Sequence, residues 1–414
     1  MNDRQKAPRI VSIDAYRGLV MFLMIAGGMA LYKVAVDPRL QGKLEDKPEW
    51  MSRVWSAIGF HTNHVPWSGG SLHDMIQPGF SFLVGVALPF SIASRLDKGQ
   101  GFFRMLFHAI VRAFLLIALG IFLRSNGKPF TNFTFEDTLS QIGLGYVFLF
   151  LIGFIRPTLW HWIAFGVIVV GYWTAFALYP APGPDFPYSS VGVPPDWPHH
   201  NDGFMSHWNK NSNLAWRVDV WFLNLFGREQ PFTHNAGGYA TLSFIPTLGT
   251  MILGLIAGRW MRDSESRGLL LLKLLGAGVI LTAAGLGAEA VGICPIVKPI
   301  WTPAWTLYSG GICFLFLLFF TILFDGRSPL KPLAFPLVVL GANSIFIYCL
   351  NNLTGGWMRQ TLSTHLALAE RHWDFKTYEV FGAEFRSVVS GALVIVVFWL
   401  ILLWMYCKRI FVKI

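Results

Sequence analysis

Apolar runs of about 20 residues repeat along this chain, separated by polar or basic segments. That is the length a helix needs to cross the hydrocarbon core of a bilayer. About ten can be read: Ile10–Leu31, Asp74–Ser94, Phe102–Leu123, Thr138–Ile155, Leu159–Tyr179, Tyr239–Trp260, Leu269–Val291, Pro303–Phe324, Leu333–Asn352 and Phe385–Tyr406. A membrane barrel would show shorter segments of alternating polarity. The pattern therefore predicts an all-α polytopic transmembrane bundle forming a single domain over residues 1–414. It leaves three long connections, at 32–73, 180–238 and 353–384.

Composition agrees with that class: 54% of residues are hydrophobic and only 14% are charged, far from the balance of a soluble globular domain. The formal net charge of +10 changes the picture only through its placement. Arg4, Lys6 and Arg9 precede the first span, and Arg95, Lys98 and Arg104 fall between the second and third. Arg156 follows the fourth, Arg259, Arg262 and Arg267 separate the sixth and seventh, and Arg327 and Lys331 the eighth and ninth. Lys408, Arg409 and Lys413 end the sequence. If the spans alternate, all of these share one side, as cytoplasmic loops do. Both termini are then expected in the cytoplasm, with the three long connections on the outer face. The basic balance records topology, so no nucleic-acid partner is expected.

The first span lacks a small-residue cleavage pattern and reads as a retained helix, not a signal peptide. Cys294, Cys313, Cys349 and Cys407 show neither CxxC spacing nor histidine pairing, which argues for packing roles. The segment from Pro180 is rich in Pro, Trp, His and Asn and reads as ordered irregular structure.

Ionisable groups inside a span are costly and mark pairing or binding. Asp14 and Arg17, in "SIDAYRGL", are three apart and share a helix face, a turn or two inside the cytoplasmic boundary. They form either a packing ion pair or part of a ligand site. Arg112, in "HAIVRAFLL", has no acidic neighbour in its own helix and lies at a similar depth. It either meets an anion or pairs with Asp14. Arginines from two helices near the cytoplasmic face suit phosphates, which guanidinium forks bind bidentately.

The stretch "HTNHVPWSGGSLHDMIQPGF", His61 to Phe80, sets polar chemistry at the mouth of the second span. Pro66, Gly69 and Gly70 bend the chain so that His64 and Asp74 can meet. A carboxylate beside an imidazole fixes its tautomer and stabilises its charged form, making a general base or nucleophile. The alternative is an interfacial histidine beside an interfacial Trp67. His61 and His73 are weaker candidates, and the spacings match no metal-ligand pattern.

Three stretches, "RIVSIDAYRGLVMFLMI", "HVPWSGGSLHDMIQPGFSFLVGVALPFSI" and "VRAFLLIALGIF", resemble the heparan-alpha-glucosaminide N-acetyltransferase family and its bacterial relatives. "IWTPAWTLYSGG", "GANSIFIYCL" and the terminal "CKRIFVKI" are similar to its last three helices. The resemblance implies a membrane-embedded acetyltransferase, in a bacterial inner membrane, that uses cytosolic acetyl-CoA as donor. The acceptor it implies is an amino sugar or glycan on the far side. It places the catalytic histidine at His64 and the following acid at Asp74. Arg112, Asp14, Arg17, Asn343 and Ser344 fall on family positions and are the candidate donor-binding residues, with Arg95 or Arg104 added for the phosphates. Asn63, Trp67 and Asp219 are the candidate acceptor-binding residues, and Trp197, Trp208, Trp216 and Trp221 could stack on sugar faces or anchor at the interface. The expected partners are lipid, the glycan acceptor and, as assembly, a homodimer.

The chain departs from the family where "HNAGGY" replaces an acidic segment and Gln141 replaces an arginine. These changes bear on the acceptor more than on the donor. Two other functions use the same residues: an O-acyltransferase of envelope polysaccharide or lipid, and a glycan-precursor transporter, which would not need His64.

Overall fold

A computed structural model describes residues 10–373 and 376–412. The flanking charges Arg4, Lys6, Arg9 and Lys413, used above for topology, lie outside the described residues. All ten apolar runs are helical, and no β-strand occurs among the described residues beyond one isolated bridge. The principal helices are α1 (Val11–Ala26), α2 (Glu49–His61), α3 (Ile76–Leu96), α4 (Phe102–Ser125), α5 (Thr138–Gly153), α6 (Thr158–Leu178) and α7 (Leu214–Phe222). They continue as α8 (Phe244–Asp263), α9 (Arg267–Ala290), α10 (Pro303–Phe324), α11 (Phe335–Ala342), α12 (Ser344–Trp373) and α13 (Arg386–Cys407).

Among the described residues, eight segments are long and apolar enough to cross a bilayer. The two other expected spans differ in form: α5 has 16 residues, and the Leu333–Asn352 run is a pair, α11 and α12, bent by 65°. Exposed apolar side chains such as Phe103, Phe107, Phe114, Val167, Leu272 and Ile280 cover α4, α6 and α9. An aqueous protein would bury such surface; here it is the lipid-facing surface of an integral membrane protein.

The chain falls into two compact units. The first comprises Met1–His64, Ser71–Ile76 and Phe316–Lys413; the second comprises Val65–Gly70 and Gln77–Leu315.

In the first unit, α1 and α11 approach backbone to backbone. A Cβ on Gly18 would collide with the Leu337 carbonyl, and one on Gly341 with the Asp14 carbonyl. Small residues permit this close packing, which is how membrane helices gain contact without a hydrophobic driving force. The start of α1 is capped from far along the chain: Ser12 N–H donates to Asp325 Oδ1 at 3.1 Å and its hydroxyl to Oδ2 at 2.6 Å. Asn343 makes the bend between α11 and α12. It is fully buried, its Nδ2 donates to the Ile410 carbonyl at 3.0 Å, and its Oδ1 accepts from Val412 N–H at 2.9 Å. The connection at 353–384 is largely helical, because α12 runs on to Trp373 through helix-favouring "LALAERHW". The 32–73 connection is helical too, around a small core of Val34, Leu40 and Leu44 covered by Met51, Trp55, Phe385 and Val388. Lys43 and Glu384 add an ion pair at 2.6 Å.

In the second unit, Gly85 on α3 faces the Met251 carbonyl of α8, while Gly254 and Gly258 of α8 face the carbonyls of Phe82 and Val86. The α3–α8 contact is therefore another small-residue interface. The 180–238 connection is ordered by 3₁₀ turns, α7 and side-chain amides, with Asn211 donating to the Val191 and Asn235 carbonyls at 2.9 and 3.0 Å.

Candidate active site

The first unit brings His64 and Asp74 together: Nδ1 lies 2.6 Å from Oδ1. The two side chains differ sharply in exposure, the imidazole at 49% and the carboxylate at 2%. A turn builds the carboxylate's surroundings. The Ser71 N–H donates to Asp74 Oδ2 at 3.1 Å, the Ser71 hydroxyl lies 3.0 Å from the same oxygen, and the Asp74 N–H returns to Ser71 Oγ at 3.3 Å. That hydroxyl is also 2.6 Å from the Asn63 carbonyl, so its single proton ties the loop before His64 to the turn holding Asp74. A buried carboxylate so supported holds its partner in one orientation. With Asp74 on Nδ1, the imidazole proton belongs on Nδ1 and the lone pair on Nε2, the arrangement of a general base.

The neighbouring histidines differ in role. His61 Nδ1 accepts from the Leu72 N–H at 3.3 Å, fixing the end of α2 to the Asp74 turn. The His73 ring stands 4.5 Å from that of His64, and Gly27 leaves it room: a Cβ there would sit 3.1 Å from His73 Cε1. The Asn63 side chain is exposed. Trp67, three residues past His64, is fully buried and counts with the second unit, edge-on to Trp197 at 6.0 Å.

Asp14 and Arg17 pair at 3.4 Å within α1, their side chains 13% and 24% exposed. Arg112 belongs to the second unit. Its Nη1 donates to the Tyr146 hydroxyl at 3.0 Å, its guanidinium lies 4.6 Å over that ring, and its Nε is buried without a partner. A cleft of about 150 Å³ opens beside it, lined by Arg95, His108, Arg112, Tyr146 and Ser91 with apolar residues of α3 to α5. Arg104 is not part of this lining. The cleft offers guanidinium and imidazole donors and no carboxylate, which suits a phosphate-sized anion. Asn343 spends both ends of its amide on the C-terminal segment, an architectural role, and Ser344 opens α12 beside it.

Asp219, on α7 and outside the spans, is 2% exposed. One carboxylate oxygen accepts from Thr241 N–H at 2.9 Å, where the chain turns into α8, and the other has no partner. Burial pushes its carboxyl up to about 7, opposed by the Thr241 bonds, with Glu136 raising it further and Arg228 lowering it. Gln141 is its counterpart on α5, donating to the carbonyls of Phe135 at 2.8 Å and Thr241 at 3.1 Å. Asp219 ties the 180–238 connection, and Gln141 the start of α5, to the backbone where α8 begins.

The folded Asp219 binds a proton that the unfolded chain releases near the ordinary carboxylate value. Its stabilising effect is therefore complete below pH about 4 and is lost as pH rises to about 7. Asp219→Asn keeps an acceptor for Thr241 and cannot ionise. Its melting temperature should exceed the parent's by roughly 2 °C at pH 8 and match it near pH 4. Thermal melts in detergent at both pH values check this, and a variant less stable at pH 8 would refute the assignment.

Of the four candidate sugar-stacking tryptophans, Trp208 is fully buried and stacked on Phe176 at 6.3 Å, and Trp216 donates to the Thr233 carbonyl at 2.8 Å. Trp221 is 65% exposed, and Trp197 is half-buried. Sequence reasoning missed Ser71, Tyr146 and His108. Only Ser71 left a trace, a hydroxyl residue three before an aspartate.

No family model matches the chain. Against curated proteins, it is 23% identical over 389 residues to heparan-alpha-glucosaminide N-acetyltransferase of Homo sapiens, covering 82% of this chain and 52% of that protein. The protein of the same name from Mus musculus is 25% identical over 124 residues, 29% of this chain and 14% of the relative. The chain thus spans about half the length of the human protein it matches.

Proposed function

Taking the chain as a distant relative of the heparan-alpha-glucosaminide N-acetyltransferases, we propose that it is a membrane acetyltransferase. It moves acetyl from cytosolic acetyl-CoA to an amino sugar or glycan on the outer side of a bacterial inner membrane. The observation that carries this reading is the His64–Asp74 pair: an exposed imidazole held at 2.6 Å by a buried, hydrogen-bonded carboxylate. A transporter that moves no proton has no use for such a pair.

The residues present fit the donor. The Arg112 cleft, with a buried guanidinium nitrogen lacking a partner and with Arg95 and His108 in its lining, would hold a phosphate. Arg17, held by Asp14, is a second candidate contact. The donor supplies a thioester, whose acetyl carbon is electrophilic and whose thiolate is the leaving group. His64 Nε2 takes up the proton that the acceptor nitrogen sheds as it bonds to that carbon, and the Asp74 carboxylate balances the imidazolium charge. Ser71 keeps Asp74 oriented throughout.

Arg112→Gln should raise the KM for acetyl-CoA roughly tenfold to a hundredfold, the size of a lost charge-assisted bond, with kcat nearly unchanged. Arg112→Lys should fall between, since an ammonium lacks the planar fork. Initial rates against donor concentration check both; an unchanged KM would remove Arg112 from the donor site.

The reading as a whole is tested in proteoliposomes with glucosamine trapped inside and acetyl-CoA outside. The expected result is N-acetylated sugar inside and free CoA outside. Sugar crossing the membrane without CoA release would identify a transporter, and product formed only when both substrates share a side would refute transfer across the membrane.

A further inference from the structure

In the second unit, outside the Arg112 cleft, Trp67 and the 180–238 connection gather buried side-chain nitrogens that have no hydrogen-bond partner. Trp197 stands edge-on to Trp67 with ring centres 6.0 Å apart, and Lys210 Nζ lies 5.2 Å from the Trp197 ring centre. Gly238 closes this corner at φ +76°, where a Cβ would run into the Trp67 ring and sit 3.1 Å from the Lys210 stem. The His200 ring lies 5.5 Å from Trp197. Trp67 is fully buried and its indole N–H has no partner. Both ring nitrogens of His200 and the side-chain nitrogen of Asn201 are likewise buried and unpartnered. Native proteins rarely leave buried polar side-chain atoms unmet, and here three residues, Trp67, His200 and Asn201, supply four such nitrogens. Lys210 forms no ion pair with a carboxylate among the described residues, and partial burial lowers its pKa from the usual lysine value.

We propose that this Trp197–Lys210 platform binds a sugar unit bearing an oxyanion, with a ring face on the Trp197 indole and the anion on Lys210. The chemistry on the page selects that class. An indole face takes the C–H face of a pyranose, and an excess of donors wants a ligand rich in acceptors. A free amino sugar is disfavoured, because its ammonium would meet Lys210 with like charge. The platform therefore takes a unit of the glycan other than its reacting amine. That this unit belongs to the acetyl-accepting glycan rests on the acetyltransferase reading; the binding does not.

The oxyanion could be a carboxylate or a phosphate ester, and calorimetric titration of the full chain in detergent, without acetyl-CoA, separates them. The probes are glucuronate, glucose 6-phosphate, glucose and glucosamine. At least one anionic sugar should bind roughly tenfold or more tightly than glucose, with glucosamine weakest. Lys210→Gln should erase that advantage, Lys210→Arg should retain it, and Trp197→Ala should weaken every sugar that binds. The preferred anion identifies the substituent. Equal affinity for charged and neutral sugars, no binding of either anionic sugar, or an unchanged preference in a folded Lys210→Gln would overturn the proposal. Selective binding by a chain that transfers no acetyl would leave this site standing and sink the acetyltransferase reading instead.

Discussion

His64→Ala should bring acetyl transfer down by roughly a thousandfold or more, to the background rate, while acetyl-CoA binding stays within twofold of the parent. The imidazole is the exposed half of the pair, at 49%, and is not in the lining of the Arg112 cleft, so its removal deletes the base and leaves that lining intact. The control is stability, because Asp74 loses its shortest hydrogen bond, worth about 2 kcal/mol net for a bond to a charged group. His64→Gln can still donate to Asp74 and should restore the melting temperature without restoring activity. Steady-state rates, donor binding and melts of the two variants separate loss of chemistry from loss of fold.

Asp74→Asn carries the second-largest expected effect, a fall in kcat of roughly a hundredfold to ten-thousandfold with little change in donor KM. An amide has nearly the carboxylate's shape, and its oxygen can still accept from the Ser71 N–H now given to Oδ2. Its nitrogen would then donate to His64 Nδ1, which moves the imidazole proton to Nε2 and takes the lone pair away from that nitrogen. It also removes the charge that balances the imidazolium. Ser71→Ala acts through Asp74 alone and should cost far less. A kcat for Asp74→Asn within threefold of the parent would show that Asp74 is a structural acid.

The membrane class and the ten helical segments were legible because hydrophobic length is a coarse signal that tertiary context cannot override in lipid. The His64–Asp74 pair was legible for a local reason: ten residues apart, with Pro66, Gly69 and Gly70 between them, they had few ways not to meet. Other features depend on partners distant in sequence. The bend at Asn343 is set by the Ile410 carbonyl and the Val412 N–H, so a continuous apolar run concealed a broken span. The cap on α1 comes from Asp325, and the phenol beside Arg112 comes from the next helix but reads in sequence as an ordinary apolar position. In the sequence Asp219 reads as an acceptor-binding residue and Gln141 as a departure from the family pattern. The structure gives each a backbone partner where α8 begins, a contact no local pattern encodes.

Acetyl transfer through His64 is measured by following free CoA released from radiolabelled acetyl-CoA. The purified chain and its His64→Ala variant are each assayed with and without glucosamine. Release should require the sugar in the parent and vanish in the variant. Sugar-dependent release that survives in His64→Ala would contradict transfer through that residue.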